Sequence, residues 1–103
     1  MEKAVQIIKE TIENKGIKVL KIILFGSRAK GTAREDSDWD FFVIIDKKLS
    51  FNEKWDIIDE IKIKLAKLKI PNDIFLKSED EVEESKDDVG RITYYALREG
   101  IEV

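Results

Sequence analysis

Val19-Leu20-Lys21-Ile22-Ile23-Leu24-Phe25-Gly26-Ser27-Arg28-Ala29-Lys30-Gly31, followed by Ser37-Asp38-Trp39-Asp40-Phe41-Phe42-Val43-Ile44-Ile45, decides the fold. The first apolar run is short and rich in β-branched residues, which predicts a buried strand over 19–25 ended by Gly26. Residues 27–37 are polar and charged and read as a turn with at most one helical turn. Trp39 to Ile45 is a second apolar run and a second strand, closed by Asp46-Lys47-Lys48.

Outward from this pair, the pattern becomes helical. Val5, Ile8 and Ile12, with Ala4 and Ile7, recur at helix spacing over 2–14, and Asn14-Lys15-Gly16 supplies the stop. Ser50-Phe51-Asn52-Glu53 is a capping box opening a helix through about Lys69. Its expected stripe is Trp55, Ile58, Ile61 or Ile63, Leu65 and Leu68, and Pro71 bars continuation. Asn72 to Lys77 reads as a third strand, and Ser78-Glu79-Asp80-Glu81 as a second capping box. The helix it opens is expected to break near Asp87-Asp88 or Gly90 and to resume over Ile92 to Arg98, with Gly100 as its C′ residue. Such alternation predicts an α/β (α+β) fold, a small mixed β-sheet flanked by helices. The short link between the first two strands suits an antiparallel pair, and the long helix between the second and third permits a crossover.

Composition narrows the chemistry. A chain of 103 residues fits one domain spanning 1–103. With no Cys and no His there is no disulfide, no thiol nucleophile and no imidazole base, so a metal would sit on carboxylates, which favour Mg²⁺ or Mn²⁺. A net charge of −3 argues against direct nucleic-acid binding. No apolar run is long enough to span a membrane, and Met1–Gln6 does not read as a secretory leader, so a cytoplasmic protein is expected.

Four features could carry chemistry. Asp38 and Asp40 are two apart at a strand start, so both carboxylates project from one face and Trp39 from the other. Side by side they repel unless a cation neutralises them, and such a pair can bridge two divalent ions; an exposed acidic turn is the alternative. Gly26-Ser27 lets backbone N–H groups approach a phosphate, although an ordinary strand-ending turn has the same residues, and the P-loop pattern is absent. Arg28, Lys30 and Arg34 put positive charge between these halves, or simply line a solvated loop. Asp73 interrupts the third apolar strand, where it is either a third metal ligand and proton acceptor or an exposed residue at the strand start.

Gly26-Ser27-x3-Gly31, the basic loop, Ser37-Asp38-x-Asp40 followed by Phe41-Phe42-Val43-Ile44, and Asp73 on a later strand resemble the nucleotidyltransferase superfamily with a DNA-polymerase-β-like core. The length, the run to Arg34, and the ending Tyr95-Ala96-Leu97-Arg98-Glu99-Gly100-Ile101 resemble its minimal nucleotidyltransferases most. The resemblance implies transfer of a nucleoside monophosphate from a triphosphate, ATP, to a hydroxyl. Gly26 and Ser27 would hold the β,γ-phosphates, with Arg28, Arg34 and Ser37 beside the nucleotide. Asp38 and Asp40 would ligate two Mg²⁺, and Asp73 would complete the metal site and help deprotonate the acceptor. Trp39 is bulkier than the aliphatic residue usual between the two Asp, and Phe41-Phe42 is heavier than the usual pair. Members this small resemble the antitoxin of a pair whose partner is a HEPN-domain toxin, silenced by AMP on a tyrosine. Two alternatives stand beside this reading: an antitoxin that neutralises by binding alone, and a small-molecule nucleotidyltransferase of aminoglycoside type.

Overall fold

A computed structural model describes residues 1–87 and 91–103. The elements are α1 (Glu2–Glu13), β1 (Val19–Phe25), α2 (Ser27–Lys30), β2 (Trp39–Ile45), α3 (Phe51–Lys67), β3 (Asn72–Ser78), α4 (Glu79–Ser85), α5 (Ile92–Glu99) and β4 (Ile101–Glu102). The strands form one mixed sheet in the order β3-β2-β1-β4. β1 and β2 are antiparallel, β2 and β3 parallel across the α3 crossover, and β4 antiparallel to β1.

The near-continuous apolar runs of β1 and β2 are explained by burial on both faces. On one face Ile22, Leu24, Phe41, Val43 and Ile45 pack against Ile8 and Ile12 of α1 and Ile58, Ile61 and Leu65 of α3. On the other, Ile23, Phe25, Phe42 and Ile44 meet Val82 of α4 and Ala96 of α5. Phe41 and Phe42 are both wholly enclosed, one on each face. Burying such a side chain stabilises the fold by roughly 1.5–3 kcal/mol.

Both capping boxes form: the Ser50 hydroxyl accepts from Glu53 N–H and the Ser78 hydroxyl from Glu81 N–H, each at 3.2 Å, with the glutamate accepting in return. The α3 stripe differs from expectation. Ile57, Ile58, Ile61 and Leu65 are buried, whereas Trp55, Ile63 and Leu68 are exposed, because α3 packs near the outer edge of β3 and leaves one flank uncovered. Past α3 the Ile70 N–H donates to the Leu65 carbonyl and the Lys69 N–H to that of Ala66, with Lys69 left-handed at φ 58°. This is a Schellman stop with lysine where glycine is usual.

The C-terminus also departs from expectation. Helix α4 ends at Ser85; of the break expected at Asp87-Asp88 or Gly90, Asp88 and Gly90 lie outside the described residues. Gly100 is not a left-handed cap; its backbone is extended, at φ −79° and ψ 164°. Its need for glycine is spatial, since a Cβ there would run into the Ile23 side chain and the Ala96 carbonyl. That close approach lets the chain turn onto β1 and add β4, pairing Ile101 with Leu24 and Glu102 with Ile23. Among the described residues no helix is long and apolar enough to cross a membrane.

Candidate active site

The topology assembles the site at one end of the sheet. β1 runs antiparallel to β2, so its last residue, Phe25, lies opposite Asp40. β3 runs parallel to β2, so its first residues pair there too, Asn72 with Trp39 and Asp73 with Asp40. By strand alternation Asp40 and Asp73 share the face of Phe42 and Phe75, while Trp39 joins the opposite core and Asp38 stands one residue before β2. Phe25 and Phe75 meet at 5.5 Å and form part of the apolar layer on that face.

Gly26 is fitted to this arrangement. Its backbone lies at φ 75°, and a Cβ would collide with the Asp40 carboxylate. The gap left by hydrogen therefore lets the turn close on the acid. Asp40 is half-buried, and its carboxyl is pushed above the ordinary carboxylate value by burial first, then by the charges of Asp73 and Asp38. Both acids are therefore within electrostatic reach of Asp40.

Asp73 is exposed and engaged from the side. Lys62, on α3, lies 3.5 Å from its Oδ1 and donates to the Asn72 carbonyl at 3.2 Å. Among the described residues no three carboxylates converge into a closed cation cage. An open set of hard oxygen donors still fits Mg²⁺, which uses one or two carboxylates and takes further ligands from substrate phosphates and water. Asp38, Asp40 and Asp73 are the residues that would hold it.

The loop residues have defined partners. Arg28 donates to the carbonyls of Ser37 (2.9 Å from Nη2) and Glu35 (3.1 Å), and its guanidinium stacks 4.6 Å over the Trp39 ring. The Ser37 hydroxyl accepts from the Arg34 N–H at 2.8 Å. Arg28, Trp39 and Ser37 thus brace the loop that presents Asp38. This gives the bulky Trp39 a role: it is a platform for Arg28 and stacks on Phe41. Lys30 pairs with Glu99 of α5 at 2.9 Å. Ser27 opens the single turn of α2, next to Gly26 and half-exposed, and Arg34 is exposed nearby. Sequence reasoning did not single out Lys62, since a lysine on a helix flank carries no signal until β3 is placed beside it.

Residues 6–100 match the family model of polymerase beta nucleotidyltransferases, and the chain belongs to that family. It is a nucleotidyltransferase. Two solved structures share its fold. One is a toxin–antitoxin with AMP-PNP, in which the similar chain is 19% identical with a TM-score of 0.67, covering 98% of this chain and 69% of that one. The other is a double Asp-to-Glu mutant of the toxin–antitoxin MntA–HpeT, 16% identical with a TM-score of 0.62 and the same coverage. No curated protein matches the sequence significantly.

Proposed function

We propose that this chain moves AMP from ATP to a tyrosine hydroxyl of a partner toxin, of HEPN type, and so acts as its antitoxin in the cytoplasm. The observation that carries the transfer is the in-register placement of Asp40 beside Asp73, with Asp38 two residues away and Gly26 against the Asp40 carboxylate. The toxin–antitoxin identity of both structural neighbours supports the partner, and the AMP-PNP in one supports ATP.

In this reading Gly26 and Ser27 seat the β,γ-phosphates, and Arg34, whose backbone is fixed by Ser37, supplies positive charge beside them. Arg28 acts on the nucleotide through the loop that it braces. Mg²⁺ on Asp38, Asp40 and Asp73 would neutralise phosphate charge and polarise the α-phosphoryl group. Asp73 accepts the hydroxyl proton as the tyrosine oxygen forms its bond to the α-phosphorus. The bond from α-phosphorus to the bridging oxygen breaks, and pyrophosphate leaves with that electron pair. Positioning and charge neutralisation suffice for such a transfer, so the lack of His is no obstacle.

The test combines the chain, Mg²⁺, ATP labelled at the α-phosphate and the candidate HEPN protein, with mass spectrometry of both proteins. Label on a partner tyrosine, lost in Asp38→Asn/Asp40→Asn, is the expected result. A stable complex without label would overturn transfer and leave neutralisation by binding.

A further inference from the structure

β3 is an outer strand of the sheet, so one of its edges has no strand beside it. The Pro71 carbonyl, just before β3, accepts from the Trp39 N–H of β2. Peptide groups alternate along a strand, so those of Asp73, Phe75 and Lys77 also face β2, and those of Ile74 and Leu76 face the open edge. The Asn72 carbonyl faces outward too and is taken by Lys62. Trp55 and Ile92, both partly exposed, line a groove of 180 Å³ along the same edge.

The two ends of this strand carry opposite charge. At its start Asp73 stands with Asp40 and Asp38 and against the Lys62 ammonium. At its end Lys77 and Lys54 gather with Arg91, Glu81 and Glu84, more cations than acids. Such a strand is complementary to itself when inverted. In an antiparallel pair of β3 edges centred on Phe75, Ile74 meets the second copy's Leu76 and Leu76 its Ile74, each pair exchanging two main-chain hydrogen bonds. Asp73 then faces the second copy's Lys77, and Lys77 its Asp73. These are the positions without main-chain bonds, where Cα atoms stand only about 4.5 Å apart and side chains interact most. The two Phe75 rings meet at the centre.

A lysine on a sheet edge ordinarily deters pairing. Parallel pairing in register would set Lys77 on Lys77 and Asp73 on Asp73, and it is disfavoured. The charges of β3 therefore select the antiparallel register instead of forbidding association.

We propose that two copies of this chain associate through their β3 edges in this register, joining their sheets into one. The second copy's Lys77 then lies beside Asp73 and competes with Mg²⁺ for it, so the pair is a resting form that Mg²⁺ opens. That last link rests on the metal-binding reading above; the pairing itself does not.

The test is sedimentation velocity of the full chain from micromolar to millimolar concentration in EDTA. Reversible dimerisation is expected, with slower hydrogen exchange at the Ile74 and Leu76 amides as concentration rises. Lys77→Glu and Asp73→Lys, each alone, place like charges together twice in the pair and should weaken association by about tenfold or more. An equimolar mixture of the two variants restores both ion pairs and should dimerise as the unsubstituted chain does, a rescue that a misfolded variant cannot give. A chain that stays monomeric at millimolar concentration, a dimer indifferent to both substitutions, or a mixture no tighter than its components would each overturn the proposal. Saturating Mg²⁺ should weaken the unsubstituted dimer by about tenfold or more; an unchanged dimer would overturn the competition for Asp73. All of this is read without nucleotide or acceptor, so its failure and a failure of AMP transfer are separate results.

Discussion

Asp40→Asn should make the metal-free protein more stable while abolishing transfer. Asp40 and Asp73 are register partners on adjacent strands, so their carboxylates lie about 5 Å apart on one face, with Asp38 about 7 Å along the strand. In a water-like dielectric those separations correspond to about 1.5 kcal/mol of repulsion in total. Asp40 is half-exposed and Lys62 offsets part of the Asp73 charge, which leaves about 1 kcal/mol after screening. For a domain of this size that is a rise in Tm of about 4–8 °C at neutral pH in EDTA.

The pH dependence identifies the cause. The folded-state pKa of Asp40 is raised, by burial first and then by its acidic neighbours. Between the unfolded and folded values the native state binds more protons, so the penalty grows as pH rises through the folded value and is absent below the unfolded one. The advantage of Asn should therefore be full at pH 7 and vanish near pH 3, where the wild-type carboxyl is protonated. Mg²⁺ should reverse the order: at ten times its Kd it stabilises the wild type by about 1.4 kcal/mol and the variant by little. Thermal and urea unfolding with and without Mg²⁺ measure all of this. An advantage persisting at pH 3, or equal stabilisation of both proteins by Mg²⁺, would refute the electrostatic account.

Three further substitutions examine other parts. Gly26→Ala combines a positive φ with a Cβ driven into the Asp40 carboxylate; it should cost about 1–3 kcal/mol of stability and reduce transfer by about a hundredfold, with circular dichroism unchanged. Lys62→Met frees Asp73 from a competing ammonium, and Mn²⁺ titrated by electron paramagnetic resonance should bind about two- to threefold more tightly; weaker binding would make Lys62 a positioning residue instead. Lys69→Gly relieves a left-handed lysine and should add about 0.5–1 kcal/mol in urea unfolding without altering transfer, because the stop of α3 needs that conformation and not that side chain.

The most legible elements were those specified by neighbouring residues. β1 and β2 end where expected because Gly26 and Asp46 interrupt dense apolar runs, and both serine caps form because a capping box needs only four consecutive residues. The errors came from contacts between distant segments. Trp55 and Leu68 satisfy helical spacing yet stay exposed, since their flank of α3 overhangs the edge of the sheet. Gly100 had the composition of a helix cap, but Ile23, far away in sequence, sets its need for glycine. β4 is two residues long and exists only because β1 offers it an edge.

The sequence by itself determined the carboxylate pair and its common face, the glycine beside it, and the alternation of helices and strands, because strand periodicity and turn chemistry are local. Tertiary structure alone decided that Asp73 stands beside Asp40, that Lys62 holds Asp73 from the flank, and that Arg28 braces the loop over Trp39 instead of lying free. These depend on which strand runs parallel to which and on the register between them. A one-residue slip of β3 would turn Asp73 to the other face and would also turn Ile74 and Leu76 out of the core under α3, so it is their burial in the tertiary structure that holds the register.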